Sequence, residues 1–247
     1  MKEEKVGFYS EGQKIIGKLY TPDIRNPPAI IIVHGFGGYF SFIEEMDVAK
    51  IFASDGFATL GFEFRNFMGK GLTLDGEVND LKAAIDFMSK KFDKLFLLGE
   101  SLGCLIITLL NDKRIKAVTF WSPGLNTKKA VLEDLQENFN ENILEEIKEK
   151  GFGTFNYRDG FRIVEKKFSE QINQNYIRLI TKIKVPILVL RGTRDKTVER
   201  KDIEEVYERA KSEKKLIAIE DAGHVFKGNY KLTAIKFTVD WFNKWLK

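Results

Sequence analysis

The sequence predicts an α/β protein with a mostly parallel central sheet and helices on both faces. Two observations predict it, and a third marks an insertion that breaks the rhythm. Strand-like and helix-like patterns alternate along the chain. Several strands are apolar without alternation, such as "AIIIV" and "LFLLG", as strands covered on both faces are. One interval, between Pro123 and Pro186, spans about sixty residues where a simple crossover needs about a dozen or two.

The elements follow in order. "KVGFYS" and "KIIGKLYTP", parted by Glu11-Gly12-Gln13, form an N-terminal hairpin. After Asn26-Pro27-Pro28 comes the strand opening "AIIIVHGFGG". Residues 41 to 54 are expected as a helix buried through Ile43, Met46, Ala49, Ile51 and Phe52. "FATLGFEF" returns to strand, and 75 to 90 form a helix whose Val78, Leu81, Ile85 and Met88 share a face. "KLFLLGES" is a short buried strand, "LGCLIITLL" a helix apolar nearly all round, and "IKAVTFWSP" a strand. "PILVLRGTRD" and "KKLIAIEDAG" are strands around a helix at 202 to 211. The last helix, 230 to 246, presents Leu232, Ile235, Val239, Phe242 and Leu246 on one side. In the long interval, a charged helical stretch at 128 to 149 precedes a hairpin turning at Asp159-Gly160 and a further helical piece, "SEQINQNYIRLITKI". The expected division is a core of residues 1–123 and 185–247 with an inserted cap at 124–184.

Composition narrows the function. The chain has 247 residues, 43% hydrophobic and 31% charged, the balance of an ordinary folded protein. Its net charge of +4 is dispersed through mixed runs such as "EEIKEK", which argues against a nucleic-acid partner. Cys104 is the only cysteine, so no internal disulfide or cysteine metal cluster is possible, in keeping with a reducing cytoplasm. No apolar leader or spanning run is seen, so a soluble, cytoplasmic protein is expected. No metal-ligand spacing and no G-x-G-x-x-G strand-helix unit appears, so neither metal nor nucleotide cofactor is expected. A small-molecule partner is expected, with a homodimer left open.

The chemistry centres on "LFLLGESLGCLI". Ser101 follows a buried strand, precedes an apolar helix, and lies between Gly99 and Gly103, the setting of a nucleophile elbow. A serine hydroxyl needs a base, an acid to orient the base, and donors for the developing oxyanion. The helix N-terminus aims backbone N–H groups at the reaction centre, so the amide of Leu102 is an oxyanion donor. Of the two histidines, His224 follows a late strand and is expected as the base, while His34, followed directly by glycine, holds a turn. Asp195, after the strand "PILVLRG", is the expected acid; Glu220 and Asp221 compete by nearness in sequence alone. Cys104 and Trp121 are expected in the core, and Phe152, Phe155, Tyr157 and Phe161 either pack the cap or line an acyl pocket.

From "HGFGG" to "GHVF", and in the order serine, aspartate, histidine, the chain resembles the α/β-hydrolase superfamily. The resemblance implies a serine hydrolase in which Phe36 gives the second oxyanion N–H. Size and cap position are similar to small carboxylesterases of the cinnamoyl or feruloyl type and to monoacylglycerol lipases. It implies cleavage of small to medium acyl or aryl esters through an acyl-enzyme. The same triad also serves lipases, thioesterases and peptidases, and a non-catalytic binding protein on this fold is the remaining alternative. Two departures stand out: "FEFRNFMGKG" has Glu63 and Asn66 where many relatives carry Asp and Gly, and the elbow has Glu100 before its serine.

Overall fold

The computed structural model describes residues 1–36, 48–65, 71–157 and 160–247, with the backbone only at Tyr157. Among the described residues ten strands carry the architecture: β1 Lys2–Ser10, β2 Gln13–Thr21, β3 Ala29–Val33, β4 Ala58–Phe62, β5 Leu95–Glu100, β6 Ile115–Trp121, β7 Phe152–Tyr157, β8 Gly160–Glu165, β9 Ile187–Gly192 and β10 Lys214–Ile219. Eight form one sheet in the order β1-β2-β4-β3-β5-β6-β9-β10. β1 and β2 pair antiparallel from Lys2↔Thr21 to Ser10↔Gln13, β2 runs antiparallel to β4, and the remaining neighbours are parallel.

The unbroken apolar runs are explained by two core layers. In β3, Ala29, Ile31 and Val33 join one layer while Ile30 and Ile32 join the other. β5 splits Leu95 and Leu97 from Phe96 and Leu98, and β9 splits Ile187 and Val189 from Leu188 and Leu190. Side chains alternate across a strand, so a strand buried on both sides has no polar positions to show. The helices Leu74–Ser89 and Leu102–Leu110 cover one face, and Val48–Ser54 and Asn229–Asn243 the other.

The helix Leu102–Leu110 lies very close to β3. A Cβ on Gly103 would stand 2.2 Å from the carbonyl oxygen of Val33 and 2.7 Å from that of His34, both backbone atoms that cannot yield cheaply. Gly103→Ala is therefore expected to destabilise the protein by about 3 kcal/mol, measured by urea denaturation. A variant within ~1 kcal/mol of wild type would show that this contact is looser than described.

Several expectations are revised. The helix Leu74–Ser89, capped by Thr73 accepting from the Gly76 amide at 3.0 Å, buries Glu77 and Asp80 along with Leu81, Ile85 and Met88, while Val78 is only half-buried. Asp80 belongs there because Arg65 meets it: the Arg65 amide donates to Oδ2 at 2.7 Å and its Nε to Oδ1 at 2.8 Å. In the last helix Leu232 is exposed, and Ala234, Ile235, Thr238, Trp241 and Phe242 make the buried side. The expected helix from residue 41 is described only as Val48–Ser54; Ile43 and Met46 lie outside the described residues, as do Asn66 and Asp159.

Between β6 and β9 the chain leaves the main sheet. A π-helical turn Lys128–Glu133 runs into a helix Asp134–Asn138, and a second helix, Ile143–Lys150, ends at Gly151 in the left-handed region. The expected single stretch is thus broken, the chain turning at Asn140, whose side chain donates to the Thr154 carbonyl at 2.7 Å and accepts from the Asn142 amide. β7 and β8 pair antiparallel, Phe152↔Glu165 to Tyr157↔Gly160, as a sheet of their own. The helix Lys166–Ile172 and a 3-10 turn Ile177–Lys182 lead back. Leu132, Leu135, Ile143, Phe155, Val164 and Phe168 are continuous with the core layer that covers Leu102–Leu110. Among the described residues no helix is long and apolar enough to cross a membrane.

Candidate active site

The chain order reverses between β3 and β5: β4 lies on one side of β3 and β6 on the far side of β5. Such a switch point opens a crevice at the carboxyl ends of the strands. Gly35 and Phe36 follow β3 there, and Ser101 follows β5.

Ser101 has φ 51° and ψ −116°, a conformation an L-residue rarely adopts. Strain of this kind costs roughly 1–3 kcal/mol and persists only when surrounding contacts over-determine it. Here they do. The Ser101 amide donates to the Trp121 carbonyl at 2.9 Å, and the Ser101 carbonyl accepts from the amides of Cys104 and Gly124, both at 3.1 Å. The next residue, Leu102, opens the helix, where the first N–H groups have no intrahelical acceptor.

Gly192, at the end of β9, lets the His224 loop approach: a Cβ there would stand 2.2 Å from the Ala222 carbonyl oxygen. The Arg194 amide donates to that same carbonyl at 2.9 Å, and the Ser122 hydroxyl donates to the His224 carbonyl, also at 2.9 Å. Asp195 and His224 are thereby brought together. His224 Nδ1 lies 2.9 Å from Oδ2 and 3.1 Å from Oδ1 of Asp195. The amides of Thr197 and Val198 donate to Oδ1 at 3.0 and 2.9 Å.

Burial alone would push Asp195 upward, but the bond and charge of His224, with the Val198 amide, hold its carboxyl below the usual carboxylate range. An ionised carboxylate only accepts, so His224 carries its proton on Nδ1 and leaves Nε2 as the basic nitrogen. For His224 burial works against the imidazolium, yet Asp195, then Glu100 and Asp134, outweigh it, and its pKa lies above the ordinary 6.5.

His34 is structural. Its Nδ1 lies 2.9 Å from the Gly35 carbonyl oxygen, Nε2 accepts from the Phe64 amide at 3.3 Å, and burial lowers its pKa to about 4. The competitors for the acid are engaged elsewhere. Asp221 pairs with Arg194 at 2.5 Å, and Glu220 accepts from the Thr193 hydroxyl at 3.2 Å. Cys104 is fully buried, its thiol 3.8 Å from the Trp121 carbonyl, and Trp121 is buried too.

Ser101 and His224 line one cavity of about 410 Å³, together with Phe36, Glu100, Asp134 and Phe155. Phe155 stacks near Phe36 at 5.9 Å and Phe139 meets it edge-on at 5.9 Å, forming an aromatic wall. Of the four aromatics weighed for a pocket, Phe155 is the one placed here. Phe152 and Phe161 are exposed, and the Tyr157 side chain lies outside the described residues. Phe139, Asn138 and Asp134 were not legible as site residues, because in sequence they are one stretch of a charged helix. Among the described residues no group of three or more His, Cys, Asp or Glu is arranged to hold a metal ion.

The chain has the α/β-hydrolase fold, with the sheet order β1-β2-β4-β3-β5-β6-β9-β10, the strained serine after β5 and the carboxylate–imidazole pair after β9 and β10. It is similar over 98% of its length and 98% of the other chain to Est1E of Butyrivibrio proteoclasticus, at 20% identity and a TM-score of 0.78; a structure of that protein holds ferulic acid. It is also similar to an esterase domain from Rhodothermus marinus, at 16% identity, full coverage of both chains and a TM-score of 0.76. An esterase from Pyrococcus furiosus matches all of this chain and 92% of its own, at 21% identity and a TM-score of 0.75. No protein-family model and no curated protein matches the chain.

Proposed function

We propose that this chain is a serine hydrolase that cleaves carboxylic esters through an acyl-enzyme, a carboxylesterase acting on small to medium acyl or aryl esters. The observation that carries this reading is the 2.9 Å contact between Asp195 and His224 at the cavity that Ser101 also lines. Ser101 attacks the ester carbonyl, and Nε2 of His224 takes the hydroxyl proton. Asp195 holds the imidazole in the required tautomer and stabilises its positive charge. The amides of Phe36 and Leu102 receive the oxyanion. The imidazolium then protonates the leaving alcohol, and water activated by His224 releases the acid.

The aromatic wall of Phe36, Phe139 and Phe155 supports an acyl group that is flat or apolar, and the ferulic acid held by Est1E is of that kind. Residues 124–184 act as a cap that supplies Phe139 and Phe155 over the crevice. The test is labelling by a fluorophosphonate together with turnover of p-nitrophenyl esters of rising chain length and of methyl ferulate. Wild type is expected to label and turn over, and Ser101→Ala to lose labelling and at least ~10⁴-fold in kcat. Full esterase activity in Ser101→Ala would overturn the assignment.

A further inference from the structure

The cavity around His224 holds more negative charge than a Ser-His-Asp arrangement needs. Asp195 faces the imidazole at Nδ1 from the loop after β9. Glu100 lines the cavity from the end of β5, one residue before the serine, and Asp134 lines it from the helix Asp134–Asn138. Both carboxylates are only partly accessible. Among the described residues Lys196 and Lys227 are the cationic ones on the same wall, and both are exposed, where water screens them. Asp221 and Glu220, the other acids near His224 in sequence, are held by Arg194 and Thr193.

We propose that Glu100 and Asp134 are electrostatic positioning residues: two carboxylates on the cavity wall that stabilise the positive charge His224 takes on when it accepts the Ser101 proton. The proposal rests on the serine-hydrolase reading for its catalytic meaning. Charge separation in the transition state puts a cation on the imidazole and an anion on the substrate oxygen. In that reading the oxyanion has its own donors, the amides of Phe36 after β3 and of Leu102 at the helix N-terminus. The cation, in a cavity of lowered dielectric, gains from each further carboxylate on the wall of that cavity.

The couplings run in both directions. Asp134 and Glu100 raise the pKa of His224, and His224 in turn opposes the upward push that burial gives Asp134. Asp134 keeps its place through Asn138, whose side-chain amide donates to it at 3.1 Å. One of the two charges stands on the elbow and the other on the inserted segment. The basicity of His224 therefore depends on that segment being seated over the sheet.

The test uses the full chain and two readouts. The protein has two histidines, and His34 titrates near 4, so an NMR titration of Ser101→Ala protein reads His224 without any turnover. Glu100→Gln and Asp134→Asn are each expected to lower the His224 midpoint by about half a pH unit, and Asp134→Glu to keep it near its original place. In protein retaining Ser101, the acidic limb of kcat/KM for a neutral ester is expected to move to lower pH by the same amount, with KM unchanged. Midpoints that stay put, or activity lost equally at every pH, would overturn the proposal. Shifted midpoints with no ester turned over would sink the hydrolase reading and leave the charge coupling standing.

Discussion

Asp195→Asn is expected to lower kcat by about 10⁴-fold while leaving KM and the melting temperature close to wild type. The reason lies in the second set of bonds that Asp195 makes. Its Oδ1 accepts from the amides of Thr197 and Val198 at 3.0 and 2.9 Å. In the asparagine only the carbonyl oxygen can take that role, so the side-chain NH₂ is turned toward His224 Nδ1. Nδ1 must then accept, the imidazole proton moves to Nε2, and the nitrogen that should take the serine proton is already occupied. The loop stays in place because both backbone donors remain satisfied. Steady-state kinetics on a p-nitrophenyl ester, with thermal denaturation alongside, checks this; a loss smaller than about tenfold would mean that Asp195 does not set the tautomer.

Glu77→Gln is expected to stabilise the protein increasingly as pH rises from about 5 to 8. Glu77 is 4% exposed, and its Oε2 has no hydrogen-bond partner among the described residues. The neighbour that would oppose its ionisation is Asp80, whose two oxygens are both occupied by Arg65. Burial first, and then the Asp80 charge, push Glu77 from its ordinary 4.5 up to about 8. Between those values the folded state keeps a proton that the unfolded chain has released. Stability is therefore complete below 4.5, falls by about 1.4 kcal/mol per pH unit across the window, and levels off above 8. Glutamine carries no proton to lose and so lacks that slope. Urea midpoints of the two proteins at several pH values give the comparison; parallel curves from pH 5 to 8 would show that Glu77 is solvated or paired in the folded state.

Glu77 also marks a limit of reading by periodicity. At three- and four-residue spacing it shares the inner face of its helix with Leu74, Leu81 and Ile85, but a carboxylate there reads as a solvent position unless its surroundings are known. Asp80 has the same history: what makes it a core residue is Arg65, fifteen positions earlier in the turn after β4. Leu232 is the converse, an apolar residue at a plausible core position that the last helix turns to solvent.

The sequence by itself determined the class of fold, the order of strands and helices, and the residues expected to react. Those signals are local: unbroken apolar runs mark strands between two core layers, and the glycines around Ser101 mark a sharp turn. It also set His34 apart from His224, since glycine directly after His34 ties that residue to its own turn. Tertiary structure alone decided which partners these residues meet. Asp195 and His224 lie in the loops after different strands, β9 and β10, and come within 2.9 Å only because Gly192 admits the Ala222 carbonyl, and Asp134 reaches the cavity only because the helix between β6 and β9 folds back over the crevice. Such contacts join residues far apart in the chain, and the physical terms that create them, close backbone approach and charge in a buried cavity, leave no periodic trace in the sequence.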